Sequence, residues 1–105
     1  MTISIHVQML ILKKVAKRHN LKIRPDKRLC KTPYRGMNPY AAKALNQPCP
    51  KKTLTYDPRL DKTQKRIVMD IRHEILEYQE MQKGKSYKIA HKKANKFQRN
   101  IESVR

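Results

Sequence analysis

The sequence predicts a single α+β domain, rich in helix, on three observations. Four stretches carry apolar residues at three- and four-residue spacing or open on residues that cap helices. Two short segments alternate polar with apolar and stop at proline. A chain of 105 residues with 38% hydrophobic content is enough for one core and too little for two. The expected order is an N-terminal helix, a small two-strand element, a long helix and a C-terminal helix, all in one domain over residues 1–105.

Between Ser4 and His19, Val7, Leu10, Ile11 and Val15 recur at helical spacing, while Lys13, Lys14, Lys17 and Arg18 gather where cations complement a helix dipole. This helix should end near Asn20. Ile3, Ile5, Val7, Met9 and Ile11 also alternate, so the first turns fit a strand as well. Leu21-Lys22-Ile23-Arg24 alternates up to Pro25 and reads as a short strand. Residues 26–37 are basic, contain Pro33 and Gly36 and show no sustained period, which predicts a loop or arm. Asn38 followed by Pro39 is a cap with proline at the first helical position, so Tyr40 to Leu45 should turn helically until Pro48-Cys49-Pro50 forbids it. Thr53-Leu54-Thr55-Tyr56 is the second strand, closed by Asp57-Pro58.

Asp61, with Gln64 three positions on, reads as a capping box that opens a long helix from about Lys62 to Gln82. Val68, Ile71, Ile75 and Tyr78 give that helix an apolar face, and Gly84 gives it a stop. Ser86 caps a final helix whose packing seam is Tyr87, Ala90, Ala94, Phe97 and Ile101. Lys88, Lys92, Lys96 and Arg99 form a basic ridge beside the seam.

The chain has 26 Lys and Arg against eight Asp and Glu, a net charge of +18. Many dispersed cations predict a polyanionic partner, nucleic acid first, bound through its phosphates. The contact candidates are Lys27, Arg28, Lys31 and Arg35, interleaved with Tyr34 and Tyr40, and the ridge Lys88, Lys92, Lys96 and Arg99. Base-specific readout is not expected, because no helix-turn-helix, zinc-finger or single-strand-binding signature is present. No apolar run approaches bilayer length, and the stretch from Ile3 to Leu12 has neither the basic flank nor the cleavage site of a signal peptide. A cytoplasmic protein without a membrane partner is expected. Cys30 and Cys49, with no metal-type spacing, read as two reduced thiols.

Against this background, half of the acidic residues fall between Asp70 and Glu80. At about 100° per residue, Asp70, His73, Glu74, Glu77 and Glu80 lie within about 120° of one another and form one stripe. On an exposed helix such a stripe would balance neighbouring cations through pairs such as Arg66 with Asp70. The same stripe can hold a cation. His73 and Glu77 stand one turn apart and offer two ligands, and His91 becomes the third if a tight turn at Gly84 folds the last helix back. The ion expected is Zn2+, with water as fourth ligand, Glu74 as general base, and Asp70 and Glu80 orienting the ligands.

A helix and short strands, followed by a helix bearing His73-Glu74, resemble the minimal zincin layout of metallopeptidases. There a backing helix and small sheet precede the active-site helix, and a third ligand follows downstream. The segment from Thr53 to Ala94, with Gly84-x-x-Tyr87-x-x-Ala90-His91 near its end, is also similar to small archaeal and phage proteins having a His-Glu-x-x-Glu string and a later Ala-His pair. The similarity covers under half of the chain. Glu77 stands where zincins carry their second histidine, and no substrate-binding tyrosine or histidine can be matched. The resemblance implies a zinc site and a metal-dependent hydrolase acting on peptides, or a descendant that keeps the metal without the reaction. The alternative is a nucleic-acid-binding or ribonucleoprotein component.

Overall fold

Ser4 caps the first helix, its Oγ accepting from the Val7 amide at 3.2 Å. The computed structural model describes residues 4–103, with side chains through Lys96; Ile3 and the side chains of Phe97, Arg99 and Ile101 lie outside the described residues. Helix α1 spans Ile5–Arg18, so helical rather than alternating periodicity governs this stretch. Its buried face is Met9, Leu12 and Ala16. Val7, Leu10 and Ile11 instead face solvent, which corrects the expected face. Both sets satisfy helical spacing, and the sheet and long helix pack where the small Ala16 permits close approach. Asn20, at φ 59, turns the chain into the sheet.

Strands β1 (Lys22–Pro25) and β3 (Thr53–Tyr56) pair in parallel, with Ile23 opposite Leu54 and Pro25 opposite Tyr56. A third strand, β2 (Gly36–Met37), pairs antiparallel on the other side of β3, giving the order β1-β3-β2. The sheet therefore has one strand more than the alternation predicts, because two residues are too few to show a period. Residues 26–37 are correspondingly not a free arm: they hold a 3-10 turn at Lys27–Lys31, capped by Asp26, and then β2. Leu29 and Met37 are buried. Helix α2 (Pro39–Leu45) follows, capped by Asn38 as its sequence predicts.

Helix α3 spans Gln64–Gln82 and is capped by Thr63, whose Oγ1 accepts from the Arg66 amide at 3.2 Å. Asp61 is not the cap, since its carboxylate is drawn away to Arg35 at 2.9 Å. Val68, Ile71 and Ile75 bury the apolar face of α3 against Met9, Leu12, Ala16, Leu21 and Leu54. Truncating Ile71, which is fully buried, would cost about 2–5 kcal/mol. Gly84 adopts φ +99, with open space where a Cβ would lie, so its role is the turn alone. Helix α4 (Tyr87–Ser103) then folds back along α3 on the buried Ala90 and Ala94, after Ser86 Oγ has accepted from the Ile89 amide. A second apolar cluster, Leu29, Met37, Ala41 and Ala42, joins β2 to α2 and is flanked by Tyr34 and Tyr87. No helix among the described residues is long and apolar enough to cross a membrane. Cys30 and Cys49 are both free thiols.

Candidate metal centre

Helix α3 turns its apolar face to the core and so aims the acidic stripe at the space bounded by β2, α2 and α4. The stripe is not a solvated surface. Asp70, His73, Glu74, Glu77 and Glu80 are all buried. The turn at Gly84 sets α4 beside the middle of α3 and brings His91, fourteen residues on, to the one-turn pair. A single oxygen, Glu77 Oε2, lies 3.1 Å from His73 Nε2 and 2.8 Å from His91 Nδ1. The two imidazoles meet edge to face with centroids 5.0 Å apart.

The three ligand atoms all lie within 4.8 Å of one another. Around a tetrahedral zinc with bonds of about 2.0–2.1 Å, ligand atoms sit roughly 3.3 Å apart. Two nitrogens and one carboxylate oxygen are also a donor set that zinc takes. The residues fit the ion once the imidazole–carboxylate contacts of 3.1 and 2.8 Å open by up to about half an ångström and the wider separation, within the 4.8 Å span, closes. Hydrogen bonds to Glu77 use the same ring nitrogens that a metal would need as lone-pair donors. Metal binding would therefore move protons off those atoms and depend on pH.

The second carboxylate is positioned from the other side of the cavity. Asn38, fully buried, uses both ends of its amide. Its Oδ1 accepts from the Ala41 amide at 2.9 Å, while its Nδ2 donates to Glu74 Oε1 at 3.0 Å and Glu77 Oε1 at 3.1 Å. Gly36 makes room for Glu74. A Cβ there would lie 2.9 Å from the Thr55 carbonyl oxygen and 3.1 Å from both Glu74 Cγ and Oε2. Burial, reinforced by repulsion from Glu77, pushes the Glu74 carboxyl up to about 8. Tyr87, whose hydroxyl lies 3.3 Å from His91 Nδ1, stacks on that ring at 5.1 Å. Burial raises its phenol as well.

Asp70 and Glu80 do not orient the ligands, contrary to expectation. Asp70 accepts from Arg35 Nε at 3.1 Å and not from Arg66. Glu80 pairs with Lys93 at 2.7 Å and Lys83 at 3.7 Å, and the Lys93 bond holds its carboxyl below the usual range. The positioning groups are instead Asn38 and Tyr87. Asn38 could have been noticed only as a polar residue with a capping role, and nothing in its spacing announces the second one.

Above the centre opens a cavity of about 1060 Å³. Met37, Ala41 and Leu45 line one wall and Lys88, Lys92 and Asn95 the other. Of the cationic candidates, Lys27, Lys31, Lys88, Lys92 and Lys96 are exposed. Arg28 is tied to Asp26 at 2.8 Å, and Arg35 is shared by Asp61 and Asp70. Tyr34 is half-buried and lines the cavity. Comparison of the chain with protein-family models, curated proteins and solved structures finds no match.

Proposed function

We propose that the protein is a small metal-dependent hydrolase of the minimal zincin kind, with Zn2+ held by His73, Glu77 and His91 and with Glu74 as the general base. One observation carries this reading. In a chain with 26 Lys and Arg, the buried Glu74 and Glu77 pair with no lysine or arginine among the described residues, and face two imidazoles and a cavity instead. Ionising both buried carboxyls without a cation is costly, which is why Glu74 holds its proton up to about 8; a divalent ion is the partner that this donor set suits and the charge that would free Glu74 to act as a base.

Zinc, when bound, would supply the Lewis acidity that readies a water to lose a proton. Glu74 is next in the chain to a ligand and lies on the cavity wall, with Oε1 held by Asn38. Its Oε2 is the atom left to take the proton and pass it to the leaving group. Tyr87, stacked on the His91 ring, and Asn38, bonded to both carboxylates, keep the three side chains in register. The apolar wall of Met37, Ala41 and Leu45 offers a surface for a peptide side chain.

Metal analysis and thermal melting test the reading. Purified protein is expected to carry about one zinc per chain, and zinc at a hundred times its Kd should add about 2.7 kcal/mol of stability. His73→Ala should abolish both. Glu74→Gln should keep the zinc and lose peptide-bond turnover. Protein that neither retains zinc nor melts higher in its presence overturns the site, and unchanged turnover in Glu74→Gln leaves a structural metal.

A further inference from the structure

The fold sorts charge radially, which the composition does not reveal. Six of the eight acids, Asp57, Asp61, Asp70, Glu74, Glu77 and Glu80, are buried. A seventh, Asp26, is bound to Arg28. The outward face is therefore almost purely cationic, so its field keeps one sign over the surface where an interspersed surface of the same net charge would alternate. At the cavity the sorting becomes directional. Arg35 lies on one side, but its charge is already shared by two carboxylates. Lys88 and Lys92 lie on the other side, exposed and with no acidic partner among the described residues. Lys96 continues the row one turn further along α4. With about 1.5 Å rise per residue, the three Cα positions step along the helix axis at intervals of about 6 Å.

This row ends at a cavity whose opposite wall is apolar, with Tyr34 at its edge. We infer that single-stranded nucleic acid lies along Lys96, Lys92 and Lys88 with its phosphates on the lysines, and places one base in the cavity against Tyr34 and the Met37–Leu45 wall. A backbone-tracking row of cations beside an aromatic platform is the arrangement that binds single strands without reading sequence. A duplex cannot use the cavity, because its bases are stacked and paired. The lysines of the N-terminal helix do not line this cavity. This ligand does not depend on zinc, and it would take the wall that a peptide side chain would use, so the two would exclude each other.

The test is fluorescence anisotropy of a labelled twelve-nucleotide single strand and its duplex, in EDTA, so that failure of the zinc reading leaves the result untouched. The single strand should bind at least tenfold more tightly than the duplex. The triple variant Lys88→Ala/Lys92→Ala/Lys96→Ala should weaken it at least tenfold and flatten the log–log salt slope by about 2, at about 0.7 per phosphate released. Tyr34→Leu should remove about tenfold of the single-strand preference. The matched triple Lys13→Ala/Lys14→Ala/Lys17→Ala on α1 should change affinity less than threefold. The inference is overturned if the α1 triple costs as much as the α4 triple, if duplex binds as well as single strand, or if polyglutamate competes as effectively as the oligonucleotide.

Discussion

The two ends of the acidic stripe and its middle are built from the same residue types on one helix, yet they are neutralised differently. At one end Asp70 takes Arg35, and at the other Glu80 takes Lys93 and Lys83. In the middle, Glu74 and Glu77 receive, among the described residues, the Asn38 amide and two imidazoles and no lysine or arginine. The chain has cations in excess, so their distance from the middle is not a matter of supply. Lys93, Lys83 and Arg35 reach the rim carboxylates, while Gly36 and Asn38 on one side and His91 of α4 on the other meet the central pair. The ends are finished by ion pairs. The middle is finished by an amide and two imidazoles, beside a cavity.

This contrast can be broken most forcefully at Asn38. Asn38→Ala removes two hydrogen bonds to buried carboxylates and a helix cap, and should cost about 3–4 kcal/mol in urea unfolding. If it is no worse than a rim substitution, the middle is not the demanding region. Gly36→Ala should cost about 1–3 kcal/mol by overpacking, and should weaken any zinc-dependent turnover more than zinc retention, since the added methyl meets Glu74.

A pH series sharpens the rim. Asp61, buried and pressed by Asp70 across Arg35, has its carboxyl pushed up from 3.8 to about 7, while its Oδ2 has no hydrogen-bond partner among the described residues. A carboxyl raised by folding favours the folded state below its unfolded value, and that contribution is lost as pH rises from about 4 to about 7. Asp61→Asn should flatten stability across this window, on the order of 1 kcal/mol once sharing with Asp70 is allowed for. An unchanged pH profile would assign the titration elsewhere. The smallest effect is expected from Lys93→Met, at about 0–1 kcal/mol, because its ammonium is mostly in water. A larger loss on melting would put the Glu80 pair on a par with the centre.

Much of the scaffold was legible from local signals. Asn38-Pro39, Thr53 to Tyr56 and Gly84 do in the structure what their chemistry predicts, because caps, short strands and left-handed turns are decided within a few residues. The pairing of His73, Glu77 and His91 was also readable, since one-turn spacing and a tight turn constrain where α4 can go. Other features depend on distant partners. Asp61 and Thr63 are both good caps, and Arg35, twenty-six residues away, decides between them. The face that α1 buries is chosen by what packs on it, not by its periodicity. The donation from Asn38 to Glu74 and Glu77 spans 36 and 39 positions, and no spacing rule reaches that far.

The separation in sequence between the two halves of the centre bears on the order in which the chain assembles. His73, Glu77 and His91 belong to one helical hairpin, whose contacts are local and form early. Gly36 and Asn38 arrive with the parallel crossover from β1 to β3, a longer closure that forms late. Pulse-labelled hydrogen exchange during refolding should therefore protect α3 and α4 before β3, and the reverse order would refute it. A metal captured by the hairpin would act on a folding intermediate, holding the two helices together before the rest of the domain closes over them.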